Sequence, residues 1–471
     1  MFMKASFDAG GAQPLSPASK TSPERSAVRA WLVSVMLVLL ALVNWADKAV
    51  LGLVAVPLMK DLNLSPEQYG LLASAIYFLF SASAIGAGFL ANRVATRWLF
   101  VGMVVIWSLT QFSIWLAPSF AIILISRIIL GLGEGPSAGL SFHAVAKWFK
   151  DDDRNIPTAL QNVGSFGGIA VAAPVVTYIA TNHDWHWAFF AVGVSGVIWL
   201  VLWLIIGREG PYSPEGTKSQ KVESDLEAEK SDGIQLFETN KRVPYRMLFG
   251  SRTFIGVCCV SFAAYWALAI VAAWLPTYLN ITGGLGMTGS ANIVALVSIT
   301  AIVFLVSEAA LTTGLMKRGV SSRVARGFMS AGTTLTAGLF ILGSTMVPAG
   351  VVQLLMICLG FGMGLVSFTT GSVIISEFVP VLQRGAAQGT YVGIITSAGV
   401  IAPMAFGAIV GASHESGSGY ATAFVVTGFI VAIGGVLGLL LIHPERELAK
   451  VIINLQDEIS TTRMPVDSGA L

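Results

Sequence analysis

Apolar runs long enough to cross a membrane recur along almost the whole of this chain. A helix needs about 20 mostly apolar residues to cross a hydrocarbon core about 30 Å thick, and about twelve such runs occur in 471 residues. With 55% apolar residues and only 11% charged ones, the chain cannot cover itself with polar surface. The sequence therefore predicts an all-α membrane protein. Its predicted transmembrane helices lie at 31–56, 70–91, 98–117, 120–146, 157–181, 186–207, 253–279, 289–315, 326–346, 349–377, 386–411 and 420–443.

Basic residues fall mainly in alternate loops between these spans. If the polar N-terminus lies in the cytoplasm, the loops after the even-numbered spans also lie there, and they hold nearly all of the loop bases. The opposite side has only Lys60. By the positive-inside rule, this asymmetry predicts a multi-pass protein of the cell membrane, plasma or bacterial inner membrane, with both termini in the cytoplasm.

The chain also divides into two halves that repeat each other weakly. Arg154 opens a Gly-rich fifth span that ends in Ala173-Pro174, and Arg384 opens an eleventh span that ends in Ala402-Pro403. Transporters built from parallel repeats show such a pattern. The predicted segments are a disordered cytoplasmic N-terminal tail at 1–30, an N-terminal six-helix half at 31–207, a cytoplasmic linker at 208–252, a C-terminal six-helix half at 253–443 and a cytoplasmic C-terminal tail at 444–471.

Four charged residues lie well inside the spans of the first half. They are Asp47 and Lys48 in span one, and Arg127 and Glu134 in span four. Each costs several kcal/mol to bury without a partner, so such residues mark functional sites. Arg127 and Glu134 are two helical turns apart, about 10 Å along one face, which suits holding an anion at one depth and a proton at another. Asp47 and Lys48 diverge by about 100°, so we expect one to face a neighbouring helix and the other the central cavity.

Two interpretations of these four residues are open. They form a neutral salt-bridge network that only holds spans one and four together, or they bind a transported anion and a coupled proton. Apolar packing would hold helices at less cost, which favours the second interpretation. A carboxylate in a low-dielectric cavity disfavours its charged form, and so takes up and releases a proton near neutral pH. We therefore predict proton coupling through Asp47 and Glu134, with no other cofactor.

Several classes of partner find no support in the sequence. A formal net charge of +2 without a basic stripe excludes a nucleic-acid surface. The three cysteines all lie in apolar spans, with no histidine at metal-ligand spacing, so we predict no metal site. No nucleophile motif or phosphate loop points to an enzyme.

One string in span four, with its flanks, resembles a known family. It reads Gly131-Leu132-Gly133-Glu134-Gly135-Pro136, and Lys147-Trp148-Phe149 follows it. Supporting strings are Asn44-Trp45-Ala46-Asp47-Lys48 in span one and Trp274-Leu275-Pro276-Thr277-Tyr278-Leu279 in span seven. Together they resemble the anion:cation symporter family of the major facilitator superfamily, which includes bacterial hexuronate, galactonate, glucarate and phthalate carriers. The resemblance implies proton-coupled uptake of a small organic anion by alternating access between two six-helix halves.

The resemblance also implies roles for the charged residues. Arg127 would contact the substrate carboxylate, and Glu134 and Asp47 would carry the proton. Lys48 stands where the family usually has an arginine. Span one would therefore bind the substrate carboxylate through the point charge of an ammonium group and not through the bidentate fork of a guanidinium group. The loop motif after spans two and eight would serve gating, although its usual acid is replaced by Asn92 in the first copy and Thr313 in the second. The gating residues implied by that motif are Gly88, Arg93, Arg97, Arg318 and Arg323.

Further residues are candidates for the lining of a substrate cavity. Gln161, Asn162 and Ser165 form a polar patch in span five, and they suit the hydroxyl groups of a sugar acid. Tyr77, Phe80 and Tyr391 suit an aromatic acid, although each is also compatible with simple packing. The sequence does not choose between the two substrate classes.

The sequence favours uptake over two other functions. Proton-driven exporters of amphipathic compounds usually have a Gly-Pro-centred motif in span five. Here Pro174 follows Ala172-Ala173, which weakens the export interpretation. A receptor that keeps a transporter fold would need a long folded cytoplasmic extension, which tails of about thirty residues do not provide. We expect a monomer whose partners are a small organic anion and the lipid bilayer.

Overall fold

The computed structural model describes residues 23–91, 93–149, 153–211, 242–413 and 417–462. Parts of three predicted segments lie outside the described residues. These are 1–22 of the N-terminal tail, 212–241 of the linker and 463–471 of the C-terminal tail, and the loop residue Asn92 also lies outside.

Nine helices make up the N-terminal half. They are α1 (Pro23–Leu53), α2 (Ala55–Asp61), α3 (Pro66–Ala75), α4 (Phe80–Leu90), α5 (Thr96–Leu116), α6 (Phe120–Glu134), α7 (Ser137–Trp148), α8 (Asn155–Asn182) and α9 (Trp185–Ile206) among the described residues. Local signals set several of these boundaries. Ser65 and Gln68 form a capping box at the start of α3, and Pro136 separates α6 from α7 because it cannot donate a helical hydrogen bond.

The C-terminal half repeats this layout. Its elements are α10 (Tyr245–Phe249), α11 (Arg252–Ala273), α12 (Leu275–Ile281), α13 (Gly286–Lys317), a π-helical turn (Arg323–Phe328), α14 (Met329–Ser344), α15 (Val351–Gly364), α16 (Ser367–Phe378), α17 (Val381–Gly411), α18 (Ser418–Leu441) and α19 (Pro444–Thr462) among the described residues.

The predicted all-α membrane fold is confirmed. In the part of the chain that the structure describes, 11 helical segments are long and apolar enough to cross a membrane. The tenth predicted span is a pair of shorter helices, of which Val351–Gly364 is apolar. The N-terminus differs from the sequence prediction, since helix α1 already begins at Pro23, inside the segment predicted as a disordered tail. The C-terminal tail contains one described helix, Pro444–Thr462.

The two halves meet mainly through three sets of helices: α1 against α11, α8 against α13, and α3 with α4 against α17. Smaller contacts join α1 and α2 to α12. We call the end of the bundle that carries Arg97, Arg154 and Arg318 the basic end, and the end that carries α2 and α12 the far end. The α3–α17 contact is backbone to backbone at the far end, where a Cβ atom on Gly70 would lie 2.6 Å from the carbonyl oxygen of Pro403. The halves are therefore closed against each other at the far end.

The same helices separate toward the basic end. The Ser81 and Thr396 hydroxyl oxygens are 2.5 Å apart, and the α17 face that carries Thr396 continues toward the basic end through Gly393, Gly389 and Gly385 at helical spacing. A Cβ atom on any of these three glycines would meet no atom within 4 Å. The structure is thus open at the basic end.

Candidate functional site

The four charged residues of spans one and four lie together in the structure. All are buried, with exposed fractions of 1% for Asp47, 8% for Lys48, 2% for Arg127 and 0% for Glu134. Lys48 Nζ lies 2.6 Å from Glu134 Oε2. Arg127 Nη1 donates to the backbone carbonyl of Asp47 over 3.4 Å. Spans one and four are thus joined by two contacts, the Lys48–Glu134 ion pair and the hydrogen bond from Arg127 to the Asp47 main chain.

Small residues bring α6 close enough to its neighbours for this arrangement. A Cβ atom on Gly131 would lie 1.8 Å from the carbonyl oxygen of Ile76, and one on Gly133 would lie 2.8 Å from the Trp107 ring. Close backbone approach of this kind is the usual role of small residues in membrane helices. The glycines of the span-four string therefore have a packing role beside the charged Glu134.

Asp47 and Lys48 diverge as their adjacency requires. Lys48 Nζ donates over 2.5 Å to Asn44 Oδ1, one turn earlier on the same helical face. Asp47 points instead toward span three, where Gln111 Nε2 donates to its carboxylate. Of the two arrangements expected, the structure has the acid facing a neighbouring helix and the base facing the interface between the halves.

Lys48 and Arg127 line one small cavity between the halves. Its volume is about 20 Å³, close to the space of one water molecule. Tyr77 lines it from the N-terminal half, and Ala272 and Pro403 line it from the C-terminal half. Within the described residues, the Nε and Nη2 atoms of Arg127 have no hydrogen-bond partner. Two cations, one of them with free donors, thus face the surface along which the halves meet.

Aromatic rings surround the Lys48 ammonium group. Its Nζ atom lies 5.5 Å from the centre of the Phe80 ring and 5.1 Å from that of Trp45. The Tyr77 ring makes an edge contact with Tyr265 of the C-terminal half, at 5.8 Å between ring centres. Two of the three predicted lining aromatics, Tyr77 and Phe80, are therefore beside the charged cluster.

The remaining predicted lining residues are placed differently. Gln161 is buried, and its Nε2 atom has no partner in the described part of the chain. Asn162 is half-buried, and Ser165 donates to the Gln161 carbonyl over 3.1 Å. Tyr391 contacts Ser261 through its hydroxyl group at 2.8 Å, inside the C-terminal half. The structure brings Tyr391 together with span seven and not with the charged cluster.

The loop-motif residues lie at the basic end. Gly88 lies in α4, and Arg93 and Arg318 are exposed. Arg97 Nη2 donates to the carbonyl of Leu204 over 2.6 Å, and the Arg323 guanidinium lies 5.0 Å from the Phe328 ring centre. These contacts stay inside one half. Across the described ranges, no ion pair joins the N-terminal half to the C-terminal half.

Sequence reasoning missed three residues that the structure adds to the site. Asn44 and Gln111 bind the side chains of Lys48 and Asp47, and Tyr265 contacts Tyr77 across the interface. Gln111 had a usable signal, because an amide inside an apolar span seeks a polar partner on another helix. Tyr265 had none, since its role depends on how the two halves dock.

The chain is similar in sequence and in structure to known transport proteins. The sequence profile described as Major Facilitator Superfamily matches residues 37–403. The probable galactarate/D-glucarate transporter of Escherichia coli (strain K12) is 25% identical, with 84% of this chain and 90% of that protein covered. The hexuronate transporter of Bacillus subtilis (strain 168) is 26% identical, with coverage of 88% and 94%.

Among solved structures, the crystal structure of a D-xylose–proton symporter matches with a TM-score of 0.70 at 16% identity, over 88% of this chain and 99% of that one. The predicted resemblance is therefore confirmed, and the protein is a multi-pass membrane transporter and not an enzyme. The chain belongs to the major facilitator superfamily.

Proposed function

We propose that the protein takes up a small organic anion, a sugar acid or a related carboxylate, together with protons across the inner membrane by alternating access. The observation that carries the proposal is the buried cluster of Asp47, Lys48, Arg127 and Glu134 at the interface between the halves. The names of the relatives support the substrate class, because they are transporters of galactarate, D-glucarate and hexuronate.

Arg127 is the group best suited to hold the substrate carboxylate. Its unpartnered Nε and Nη2 atoms belong to the planar fork that binds a carboxylate through two parallel hydrogen bonds. Lys48 lines the same cavity and adds a second positive charge. For a sugar acid, Gln161, Asn162 and Ser165 are the proposed hydroxyl partners, and Tyr77 and Phe80 are the rings beside the bound anion.

Proton coupling follows from the competition for Lys48. In this structure the Glu134 carboxylate forms an ion pair with the Lys48 ammonium group, with 2.6 Å between Oε2 and Nζ. A substrate carboxylate can pair with Lys48 only when Glu134 releases Lys48. Protonation of Glu134 removes the negative charge that holds Lys48. The four residues are formally neutral together, so each bound carboxylate is balanced by one proton in a site where an unpaired charge is costly. Asp47 differs from Glu134, because its carboxylate accepts from Gln111 while Arg127 donates to its main-chain carbonyl.

The conformation fits one step of an alternating-access cycle. The interface is closed at the far end and open at the basic end, and the positive-inside rule assigns the basic end to the cytoplasm. The cavity of about 20 Å³ beside Lys48 and Arg127 is too small for a sugar acid. The proposal therefore requires the far end to part before substrate enters from outside.

Uptake into proteoliposomes tests this function. The panel contains D-glucarate, D-galactonate, a hexuronate and one aromatic carboxylate, each with and without an inward proton gradient. We expect gradient-stimulated uptake of at least one acid, and a loss of at least about ten-fold in Arg127→Gln, because hydrogen bonds to a charged group are lost. Arg29→Gln, at an exposed position of α1, is the matched control. Extrusion of a cationic dye, with no uptake of any acid, would favour export instead.

A further inference from the structure

A second cavity lies on the outer surface of the C-terminal half. It has a volume of about 550 Å³, within the range of small-molecule sites. Spans seven, eleven and twelve form its walls. The apolar side chains that define this lateral groove are Ile255, Cys259 and Phe262 of α11, Ile394 of α17, and Ile433 and Leu437 of α18.

The lateral groove opens away from the N-terminal half. Ile394 precedes Thr396 by two residues, so it projects about 200° round α17 from the face that meets Ser81. Ile255 and Ile433 are 44% and 54% exposed. The groove is therefore separate from the charged site, and in a membrane it is presented to lipid.

The length of the groove matches one leaflet of a bilayer. It begins near the first residues of α11 and reaches Phe262, ten residues after Arg252. At a rise of 1.5 Å per residue this is about 15 Å, half of a hydrocarbon core of about 30 Å. A single acyl chain of the leaflet at the basic end has the length to lie along it.

The mouth of the groove is basic and aromatic. Arg252 lies on the same face of α11 as Ile255 and Cys259, at i, i+3 and i+7, and its side chain is exposed. Arg246 on the short helix α10 is also exposed. Phe249 of α10 lines the groove itself. None of the groove-lining residues is acidic, so a negative headgroup meets two bases.

We propose that the lateral groove binds an anionic phospholipid of the leaflet at the basic end. One acyl chain lies between spans seven, eleven and twelve, and the phosphate group lies at Arg252 and Arg246. Basic pockets between transmembrane helices on the cytoplasmic side bind anionic headgroups in this manner. The site does not depend on which organic anion the protein transports.

Native mass spectrometry of the full-length protein, with phosphatidylglycerol and phosphatidylethanolamine of identical acyl chains, tests the headgroup contact. We expect wild type to retain phosphatidylglycerol preferentially. Arg252→Gln is expected to weaken that binding about five-fold, equivalent to about 1 kcal/mol per base near an anionic lipid. Arg29→Gln, which removes a base from the N-terminal half, is the control and keeps wild-type retention. Equal retention of the two lipids, or equal retention by wild type and Arg252→Gln, would overturn the proposal.

A second pair of variants tests the acyl-chain contact without changing charge. Cys259→Trp fills the groove at a half-buried position, and Ile299→Trp adds the same ring at an exposed position of α13. We expect phosphatidylglycerol to be lost from the first variant and kept by the second. Retention by both variants would show that the lipid lies elsewhere.

Discussion

The far end and the basic end of the interface use the same kind of residue in opposite ways. At the far end, glycines press on backbone of the other half, as Gly52 does on Ala272 and Gly407 on Pro66. At the basic end, Gly389 and Gly393 lie on the same α17 face as Gly407 and touch nothing that a Cβ atom would reach. The small-residue face runs the length of α17, but only its far-end part contacts the N-terminal half.

In this structure the small-residue face is closely packed at the far end only. A glycine that packs nothing in this state weakens its helix by roughly 1 kcal/mol relative to alanine. Under the proposed alternating-access cycle, closure of the basic end in another state supplies a reason for that cost. The charged cluster lies between the two ends and is buried in this structure.

Replacement of Gly52 by valine is expected to have the largest effect on this comparison. A Cβ atom there would lie 1.9 Å from the Ala272 carbonyl oxygen, so the far end cannot close as it does here. Overpacking of this kind costs about 1 to 3 kcal/mol, and we expect uptake to fall by about ten-fold to a hundred-fold. Gly102→Val is the control, because a Cβ atom on Gly102 would meet nothing within 4 Å. Normal uptake by Gly52→Val would show that far-end closure is not needed.

Replacement of Gly389 by leucine tests the opposite end. A Cβ atom on Gly389 would meet nothing within 4 Å, and leucine favours a helix more than glycine does, so thermal stability is expected to be unchanged or higher. Closure of the basic end is obstructed, so uptake should fall at least about ten-fold while substrate affinity in detergent changes little. A variant that transports at the wild-type rate would mean that the basic end closes along another face.

The smallest expected effect comes from Tyr69→Phe. The Tyr69 hydroxyl donates to the Ala273 carbonyl across the far-end interface, over 2.7 Å. Loss of one such bond is worth about 0.5 to 1.5 kcal/mol, which makes opening of the far end about two-fold to ten-fold more frequent. The measurement is the rate at which an impermeant thiol reagent labels Ala73→Cys, a cavity-lining position. Tyr178→Phe, at an exposed tyrosine of α8, serves as the control, and equal labelling in both backgrounds would contradict the assignment.

The sequence predicted the spans and the charged cluster because both rest on local signals. Apolar run length defines a span without knowledge of its neighbours, and a buried charge such as Asp47 or Arg127 is conspicuous in an apolar helix. The spacing of Arg127 and Glu134 also placed them at different depths of span four. In the structure, Glu134 contacts Lys48.

The rest of the site depends on how helices pack, which no local pattern specifies. Tyr391 was assigned to the cavity from its residue type, but its hydroxyl contacts Ser261 on span seven. Gln111 was not singled out, although it donates to Asp47. The docking of complete spans decides which face of a helix meets the other half. It also decides which end of the interface is closed.

Glu134→Gln in proteoliposomes tests the central claim that competition for Lys48 couples the anion to the proton. Two rates are compared in the same vesicles: accumulation driven by a proton gradient, and exchange of labelled for unlabelled substrate without a gradient. Glutamine is uncharged at every pH, so its contact with Lys48 no longer changes with proton binding, and the account predicts that exchange persists while gradient-driven accumulation is lost. Accumulation at the wild-type level in Glu134→Gln would contradict the account.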